Sequence, residues 1–282
     1  MSAATDRLVL TFGILAIVLP SSGCRIGFDA NDPVLDTPAD AAGQVTPDAG
    51  EVPDAGEAPD AGEAPDAGCM LAGPEGPPGN ATCTDGSDND CNGSIDGQDV
   101  ACTTYVNDFV SDTRDFVYGG PGWSMGAGVL AVENCTLGQN ASLAEASFQD
   151  VVLSTSLSIS GTCGGNAAAG IAVRATGVTG CPNMDAYMCS INPEAGIVRL
   201  FRLDVGTCAT NLATAPLTPT LGTVYDLTLS AVGSTITCTV SGGTIASPIV
   251  LTANDSGHSQ GTVGFGASEI YAEFHDITAT RQ

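Results

Sequence analysis

Hydrophobic and polar positions alternate along the last two-thirds of the chain, and this alternation is missing from the first third. Between residues 103 and 282, short runs rich in Val, Ile, Leu and Thr are separated by Gly, Asn and Pro. A period of two predicts half-buried strands, and the punctuation predicts turns between them. The clearest runs are Val151–Ser160, Gly170–Thr176, Ile197–Asp204, Val224–Ala231, Thr235–Val240, Thr262–Phe265 and Ile270–Ile277. With roughly a dozen strand candidates and no amphipathic helix, residues 103–282 are expected to form an all-β, two-sheet sandwich.

The N-terminus carries an apolar run instead of an alternating one. Leu8 to Leu19 is shorter than the roughly 20 residues a membrane-spanning helix needs, and it fits the apolar region of a signal peptide. Small residues at 21–23 precede Cys24, which resembles the lipobox of bacterial lipoproteins, although Ser21 stands where that motif usually has Leu. The resemblance implies a signal peptide at 1–23, lipidation of Cys24, and a membrane-anchored protein of the outer membrane or cell surface. The alternative is an ordinary secretory signal followed by a coincidental Cys.

Residues 24–82 have no hydrophobic periodicity. Between residues 46 and 68 the unit Glu-x-Pro-Asp-Ala-Gly recurs every six residues. Proline in every unit breaks helices, and the acidic side chains repel one another, so the segment cannot bury enough surface to order itself. We expect a disordered linker, of a style similar to that of myxobacterial surface lipoproteins. A multivalent, weak cation binder is the alternative.

Charge excludes two classes of function. The chain has 7 Lys and Arg against 32 Asp and Glu, giving a formal net charge of −25. Nothing in it could neutralise a run of phosphates, so we expect no nucleic-acid partner. Electrostatic docking on anionic lipid is excluded for the same reason.

Cysteine usage predicts an oxidising compartment. The chain has 11 Cys, and removing the lipidated Cys24 leaves an even number that can pair completely. The spacing does not choose among the pairings, and six Cys in the sandwich alone allow about 15 of them. The residues expected in disulfides are Cys69, Cys83, Cys91, Cys102, Cys135, Cys163, Cys181, Cys189, Cys208 and Cys238.

An acidic loop at 83–102 carries the spacing of an EF-hand-type calcium site. Oxygen ligands recur at the intervals such a loop needs, and Gly93 permits the sharp turn. The expected ligands are Asp88, Asp90, Asn92, the Ser94 carbonyl, Asp96 and Asp99. The stretch resembles the DGxDNDCxGxxD metal-binding repeat of bacterial surface proteins, and also thrombospondin type 3 and dockerin repeats, which implies bound calcium. An acidic turn held by disulfides without metal is the alternative.

The sandwich region also resembles a known superfamily. The segments that carry the resemblance are GGPGWSMGAGVLAVEN, AGIAVRA, GIVRLFRLDVG, VYDLTLSAVGSTITCTVSG and GTVGFGASEIYAEFHDITA. They are similar to concanavalin A-like and laminin-G-like jelly rolls. Because that superfamily includes lectins, adhesion modules and glycosidases, the resemblance implies a fold and leaves the activity open.

Candidate chemistry in the sandwich is sparse. Gly122–Gly126 matches G-x-S-x-G, but that motif needs a strand-turn-helix context that the sequence does not offer. The closely spaced acids of a retaining glycosidase are also missing from the sequence. The candidate ligand-binding residues are Tyr271, Glu273 and His275, which would share one face of a strand, together with Asp255.

These features predict a surface lipoprotein that presents a non-catalytic β-sandwich. Its expected partner is carbohydrate or another envelope or extracellular component. The alternatives are a glycoside hydrolase of the concanavalin A-like class and a purely structural envelope lipoprotein.

Overall fold

The computed structural model describes residues 76, 78, 81–83, 85–89, 91, 94–95, 99–110, 115–144, 146–177 and 183–282. The predicted signal peptide, lipidation site and repeat segment lie outside the described residues. So do five predicted site residues: Cys69, Asp90, Asn92, Asp96 and Cys181. In the described part of the chain, no helix is both long and apolar enough to cross a membrane.

Strands are the main secondary structure of the described chain. A 3-10 turn at Ala81–Cys83 and a short helix α1 at Val100–Thr103 precede the strands. In chain order the strands are β1 (Thr104–Asn107), β2 (Phe116–Gly119), β3 (Trp123–Gly126), β4 (Val129–Asn134), β5 (Gln139–Leu143), β6 (Val151–Thr162), β7 (Ala168–Thr176), β8 (Asp185–Asn192), β9 (Ile197–Asp204), β10 (Cys208–Pro216), β11 (Val224–Val232), β12 (Thr235–Gly242), β13 (Ile249–Asn254), β14 (Thr262–Ser268), β15 (Ile270–Phe274) and β16 (Ile277–Arg281).

Two antiparallel sheets face each other. The larger has nine strands, in the order β13-β12-β11-β6-β15-β4-β3, with β16 pairing with β6 and with β1. The smaller has seven strands, in the order β10-β9-β8-β7-β14-β5-β2. Neighbours distant in sequence, such as β6 and β15, make this a sandwich with crossovers, and the predicted all-β fold is confirmed.

One hydrophobic core lies between the sheets. In β6, Val151, Leu153 and Leu157 are fully buried, while the serines between them face the other way. In the opposite sheet, Ile171 of β7 and Phe265 of β14 belong to the same buried cluster. Burial of alternate side chains from both sheets supplies the stabilisation that the period-two pattern predicts.

Strand positions follow the sequence pattern closely, with two differences. The run at Ile270–Ile277 divides into β15 and β16, because each pairs with a different half of β6. At the break, the backbone N–H of Ser156 donates to the Asp276 carboxylate at 2.9 Å. The count of roughly a dozen strands is too low, because β1, β2 and β3 are only four residues long and too short to show alternation.

Three disulfides link described residues. Cys83–Cys102 closes the acidic loop, and Cys135–Cys163 joins the chain after β4 to the chain after β6. Cys189–Cys238 connects β8 of the smaller sheet to β12 of the larger one, through the core. Cys91 is disulfide-bonded as well, and Cys208 begins β10. The expected disulfide bonding is confirmed for the three linked pairs and for Cys91, and it stays a prediction for Cys208.

Candidate functional site

The outer surface of the nine-stranded sheet carries the predicted ligand-binding group. Tyr271 and Glu273 point outward from β15, and the residues between them are buried. His275 follows the end of the strand and is partly exposed. We call the surface formed by Tyr271, Glu273, His275, Ser158 and Glu133 the Tyr271 face.

Ser158 connects Glu273 to His275. It lies on β6 directly opposite Glu273 in the strand register. Its hydroxyl is 3.5 Å from Glu273 Oε2 and 3.3 Å from His275 Nε2. The serine lies between the other two groups, so this is not the nucleophile–base order of a hydrolytic triad. The arrangement instead presents a carboxylate, a hydroxyl and an imidazole side by side as hydrogen-bonding groups.

Tyr271 places an aromatic ring beside these polar groups. The side chain is 38% exposed, and a methyl group at Gly161 would lie 3.2 Å from its ring, so the ring lies over that glycine. Its hydroxyl is 3.3 Å from Cys135 Sγ, and Glu133 is its register partner on β4. An accessible ring with polar neighbours can stack on an apolar surface while those neighbours bond its polar rim.

The polar surface continues along β6 and β11. Ser156 Oγ donates to Asp226 at 2.9 Å, and Asp276 accepts from the Ser156 backbone. The sequence motifs did not identify Ser156, Ser158 or Asp226 as site residues. The alternation of β6 puts its serines on one face, but only the strand register shows which side chains of the neighbouring strands they contact.

Asp255, the fourth predicted ligand-binding residue, does not lie on the Tyr271 face. It follows β13 and is bonded to residues of the smaller sheet. Arg202 Nη1 is 2.7 Å from one carboxylate oxygen, and the Tyr187 hydroxyl and the Gly257 backbone N–H donate to the other, at 2.5 and 2.8 Å. Burial by itself would raise the pKa of Asp255, but the bonds from Tyr187, Gly257 and Arg202 outweigh it and hold that pKa below its ordinary value.

Replacing Asp255 with Asn is therefore expected to destabilise the fold at neutral pH. The change removes one of the two carboxylate partners of the half-buried Arg202 guanidinium, and we expect a loss of about 1–3 kcal/mol. A lowered pKa in the folded state means that the stabilisation is complete above the unfolded value, near about pH 4, and is lost as pH falls through the folded value. Urea unfolding should therefore separate Asp255→Asn from the parent at pH 7, and the difference should shrink as pH is lowered below about 4. The exposed Asp226→Asn is the control, and an equal loss from it would contradict this account.

A second group of ligand-type side chains lies beside Asp255. Asp185, Asp204 and His258 each bring one ligand atom to within 4.8 Å of the others. All three are partly exposed. The sequence did not single out Asp185 or Asp204 as ligands, because they are 19 residues apart and only the β8–β9 pairing brings them together.

The predicted calcium loop is described only in part. Asp88 and Ser94 are half-buried, and Asp99 is buried, with its backbone carbonyl accepting from the Cys102 N–H at 3.2 Å. Nearby, the Asn89 side chain and the Ser87 N–H donate to Asp85, which lowers the pKa of that carboxyl. The other three predicted ligands lie outside the described residues, so calcium binding stays a prediction.

The outer side of the seven-stranded sheet carries buried polar atoms of a different kind. Four side chains of the described chain, on this side, have a buried atom with no hydrogen-bond partner: Asn140, Ser190, Asn192 and Ser268. Two of them belong to one row of register partners, Asn140–Gly266–Gly170–Ser190–Arg199. Such atoms call for a water or a ligand, but they are shielded, so a ligand could reach them only after other groups move.

The G-x-S-x-G match has no catalytic setting. Ser124 is exposed on β3, which turns directly into β4, so the strand-turn-helix of a nucleophile elbow is not formed here. Trp123 packs against the core, with its ring stacked on those of Tyr118 and Phe274. Trp123 is therefore a packing residue.

Comparison with solved structures supports the fold. The chain is similar to carbohydrate-binding module CBM66 from Bacillus subtilis, with 17% identity and a TM-score of 0.51 over 59% of this chain and 95% of that one. It is also similar to a Bacillus subtilis protein with a galectin-like fold (15%, TM-score 0.48, 63% and 96%) and to lectin II from Ulex europaeus (13%, TM-score 0.49, 63% and 97%). Neither the protein-family models nor the curated protein sequences match it. At 17% identity the likeness to CBM66 shows the β-sandwich fold and nothing about a site.

Proposed function

We propose that the β-sandwich is a non-catalytic carbohydrate-binding module and that the Tyr271 face is its sugar site. The observation that carries the proposal is the half-exposed Tyr271 ring with Glu133 and Glu273 beside it and the bonded pair Ser158 and His275 within reach. A pyranose ring offers an apolar face for stacking and hydroxyls that both donate and accept. The Tyr271 face offers the complementary groups. The similarity of the fold to a carbohydrate-binding module supports the proposal.

The charge of this surface limits the class of sugar. Four carboxylates are exposed on the Tyr271 face or on the polar surface next to it: Glu133, Asp226, Glu273 and Asp276. Carboxylates accept hydrogen bonds from sugar hydroxyls, but they repel sulfates and uronates in a setting of low screening. The ligand class is therefore neutral or amino sugars.

A glycan array tests the proposal directly. The full chain, labelled and applied to neutral, amino and acidic glycans, should retain neutral or amino sugars and show no preference for sulfated or uronate-rich ones. The retained sugar, added free, should compete for binding. Binding to no glycan on a broad array, or binding only to acidic glycans, would overturn the proposal and favour a structural envelope role.

The same preparation separates binding from hydrolysis. Glycoside hydrolysis needs two carboxyl groups at a set separation with divided acid and base roles, whereas the groups that connect to Glu273 are the Ser158 hydroxyl and the His275 ring. We expect the chain to bind its sugar without cleaving it. Turnover of chromogenic glycosides that disappears in Glu273→Gln would establish the hydrolase instead.

We also propose that the module is displayed on a membrane surface by a lipid on Cys24 and that calcium binds the acidic loop. The apolar run before Cys24 and the oxygen spacing from Asp88 to Asp99 support these two steps. Fatty-acid labelling of cells should mark the protein and fail with Cys24→Ala while persisting with Ser22→Ala. Calorimetry with calcium should show heat that Asp88→Ala reduces. Labelling that persists in Cys24→Ala would contradict the lipid anchor, and heat that Asp88→Ala leaves unchanged would contradict the calcium site.

A further inference from the structure

We propose that Asp185, Asp204 and His258 form a binding site for a divalent transition metal ion of the zinc class. The site is independent of the proposed sugar-binding function and lies away from the Tyr271 face, at one end of the sandwich. Its carrying observation is the convergence of one nitrogen and two carboxylate ligand atoms within 4.8 Å of one another.

The fold brings these three side chains together from separate elements. Asp185 begins β8 and Asp204 ends β9. Because these strands are antiparallel neighbours, both residues lie at the same end of the strand pair. His258 comes from the loop between β13 and β14. Its Nε2 is 3.5 Å from Asp204 Oδ1. Ligand atoms about 2.0–2.2 Å from a tetrahedral ion lie about 3.3–3.6 Å apart, so this pair is already spaced to bind one ion.

The ligand types select the class of ion. Calcium and magnesium take oxygen ligands, whereas an imidazole beside two carboxylates suits zinc and its neighbours. The Leu203 carbonyl oxygen lies 2.7 Å from His258 Nε2. Without metal that nitrogen donates its proton to Leu203, so binding an ion through Nε2 requires the His258 ring to turn away from this carbonyl and the proton to pass to solvent.

Neighbouring groups hold the ligands in place. The Val205 backbone N–H donates to Asp185 Oδ1 at 2.7 Å. Arg202 Nε lies 2.9 Å from Asp204 Oδ1 and 3.0 Å from Asp204 Oδ2, so an ion that binds Oδ1 leaves Oδ2 to Arg202. The His258 backbone N–H donates to the Tyr187 hydroxyl at 3.1 Å. Outer contacts of this kind orient ligands before the metal arrives and strengthen its binding.

Local charge and access both favour a cation. Asp185, Asp204 and Asp255 carry three negative charges beside the positive charge of Arg202, while Arg174, which donates to the His258 carbonyl, is paired with Asp150. Within the described chain, Asp185 has no cationic side chain at ion-pair distance, whereas Asp204 and Asp255 both pair with Arg202. The three ligand side chains are themselves partly exposed, which gives an ion access to them.

The chain contains two histidines, which provides a matched pair of variants. Thermal unfolding of the full chain should shift upward by about 5–10 °C when zinc is present at about 100 times its Kd, and a chelator should reverse the shift. The shift should be lost in His258→Ala and strongly reduced in Asp185→Asn. His275→Ala removes the histidine that follows β15 of the nine-stranded sheet, and this variant should keep the thermal shift.

A spectroscopic readout keeps the test valid if a variant folds poorly. With ¹³C-labelled histidine, the unmodified chain gives two sets of ring signals, and zinc should move only the set assigned to His258. Movement of His275 alone, or of neither ring, would overturn the proposal. So would a thermal shift that survives His258→Ala, because zinc would then be binding the acidic segments. If zinc leaves glycan binding unchanged, the two sites are independent, and the failure of one proposal does not count against the other.

Discussion

Replacing Cys189 and Cys238 together with alanine is expected to lower the free energy of unfolding by about 4 kcal/mol. The bond joins the two sheets, spans 49 residues of sequence, and both side chains are fully buried. Closing a loop of that length in the unfolded chain accounts for about 4 kcal/mol on a chain-entropy basis. Removing two sulfur atoms from a packed core adds a cavity term of the same sign.

Urea unfolding under oxidising conditions measures this loss. The control is the double variant Cys135→Ala and Cys163→Ala, which removes a bond between exposed residues spanning 28 residues of sequence. It should lose the loop-closure contribution but create no cavity in the core, so its loss should be the smaller of the two. A loss below about 1 kcal/mol for the Cys189 and Cys238 pair would mean that the bond does not restrict the unfolded chain as the chain-entropy calculation requires.

Replacing Tyr271 with alanine is expected to weaken binding of the sugar found on the array by at least about tenfold, or about 1.4 kcal/mol. The ring is the large apolar surface of the Tyr271 face, and aromatic side chains of this kind supply much of the binding energy at recognition sites. Gly161→Ala should weaken binding too, because its added methyl group would meet the ring at 3.2 Å and displace it. Calorimetric titration of each variant measures the change.

Tyr118 provides the matched control for Tyr271. It is a tyrosine with the same 38% exposure, but it belongs to β2 of the opposite sheet. Tyr118→Ala should therefore leave affinity unchanged. Equal losses from Tyr118→Ala and Tyr271→Ala would indicate general destabilisation, and a loss from Tyr118→Ala alone would place the sugar on the other sheet.

The sequence predicts strands such as β11 well because their side chains alternate between the core and the solvent-facing surface. β9 begins and ends at the predicted residues, Ile197 and Asp204, and β11 differs from its prediction by one residue. The same alternation predicts that Tyr271 and Glu273 share a face. These are local properties, and the period-two pattern records them directly.

Features that depend on pairing were not accessible from the sequence. Ser158 meets Glu273 and His275 only through the register of β6 with β15, across 115 and 117 residues. Asp255 was assigned to the ligand-binding group because it is a polar loop residue. Its loop instead brings it to Arg202 and Tyr187, a placement decided by how the two sheets stack. The partner of Cys189 was open for the same reason.

Hydrogen–deuterium exchange with and without the bound sugar tests the location of the site most directly. The account predicts that the sugar slows exchange in residues 270–276 and 156–161, on the outer side of the nine-stranded sheet, and leaves residues 139–143 and 190–199 unchanged. Protection confined to 139–143 and 190–199 would place the sugar over the buried polar atoms of the opposite sheet and would contradict the assignment of Tyr271.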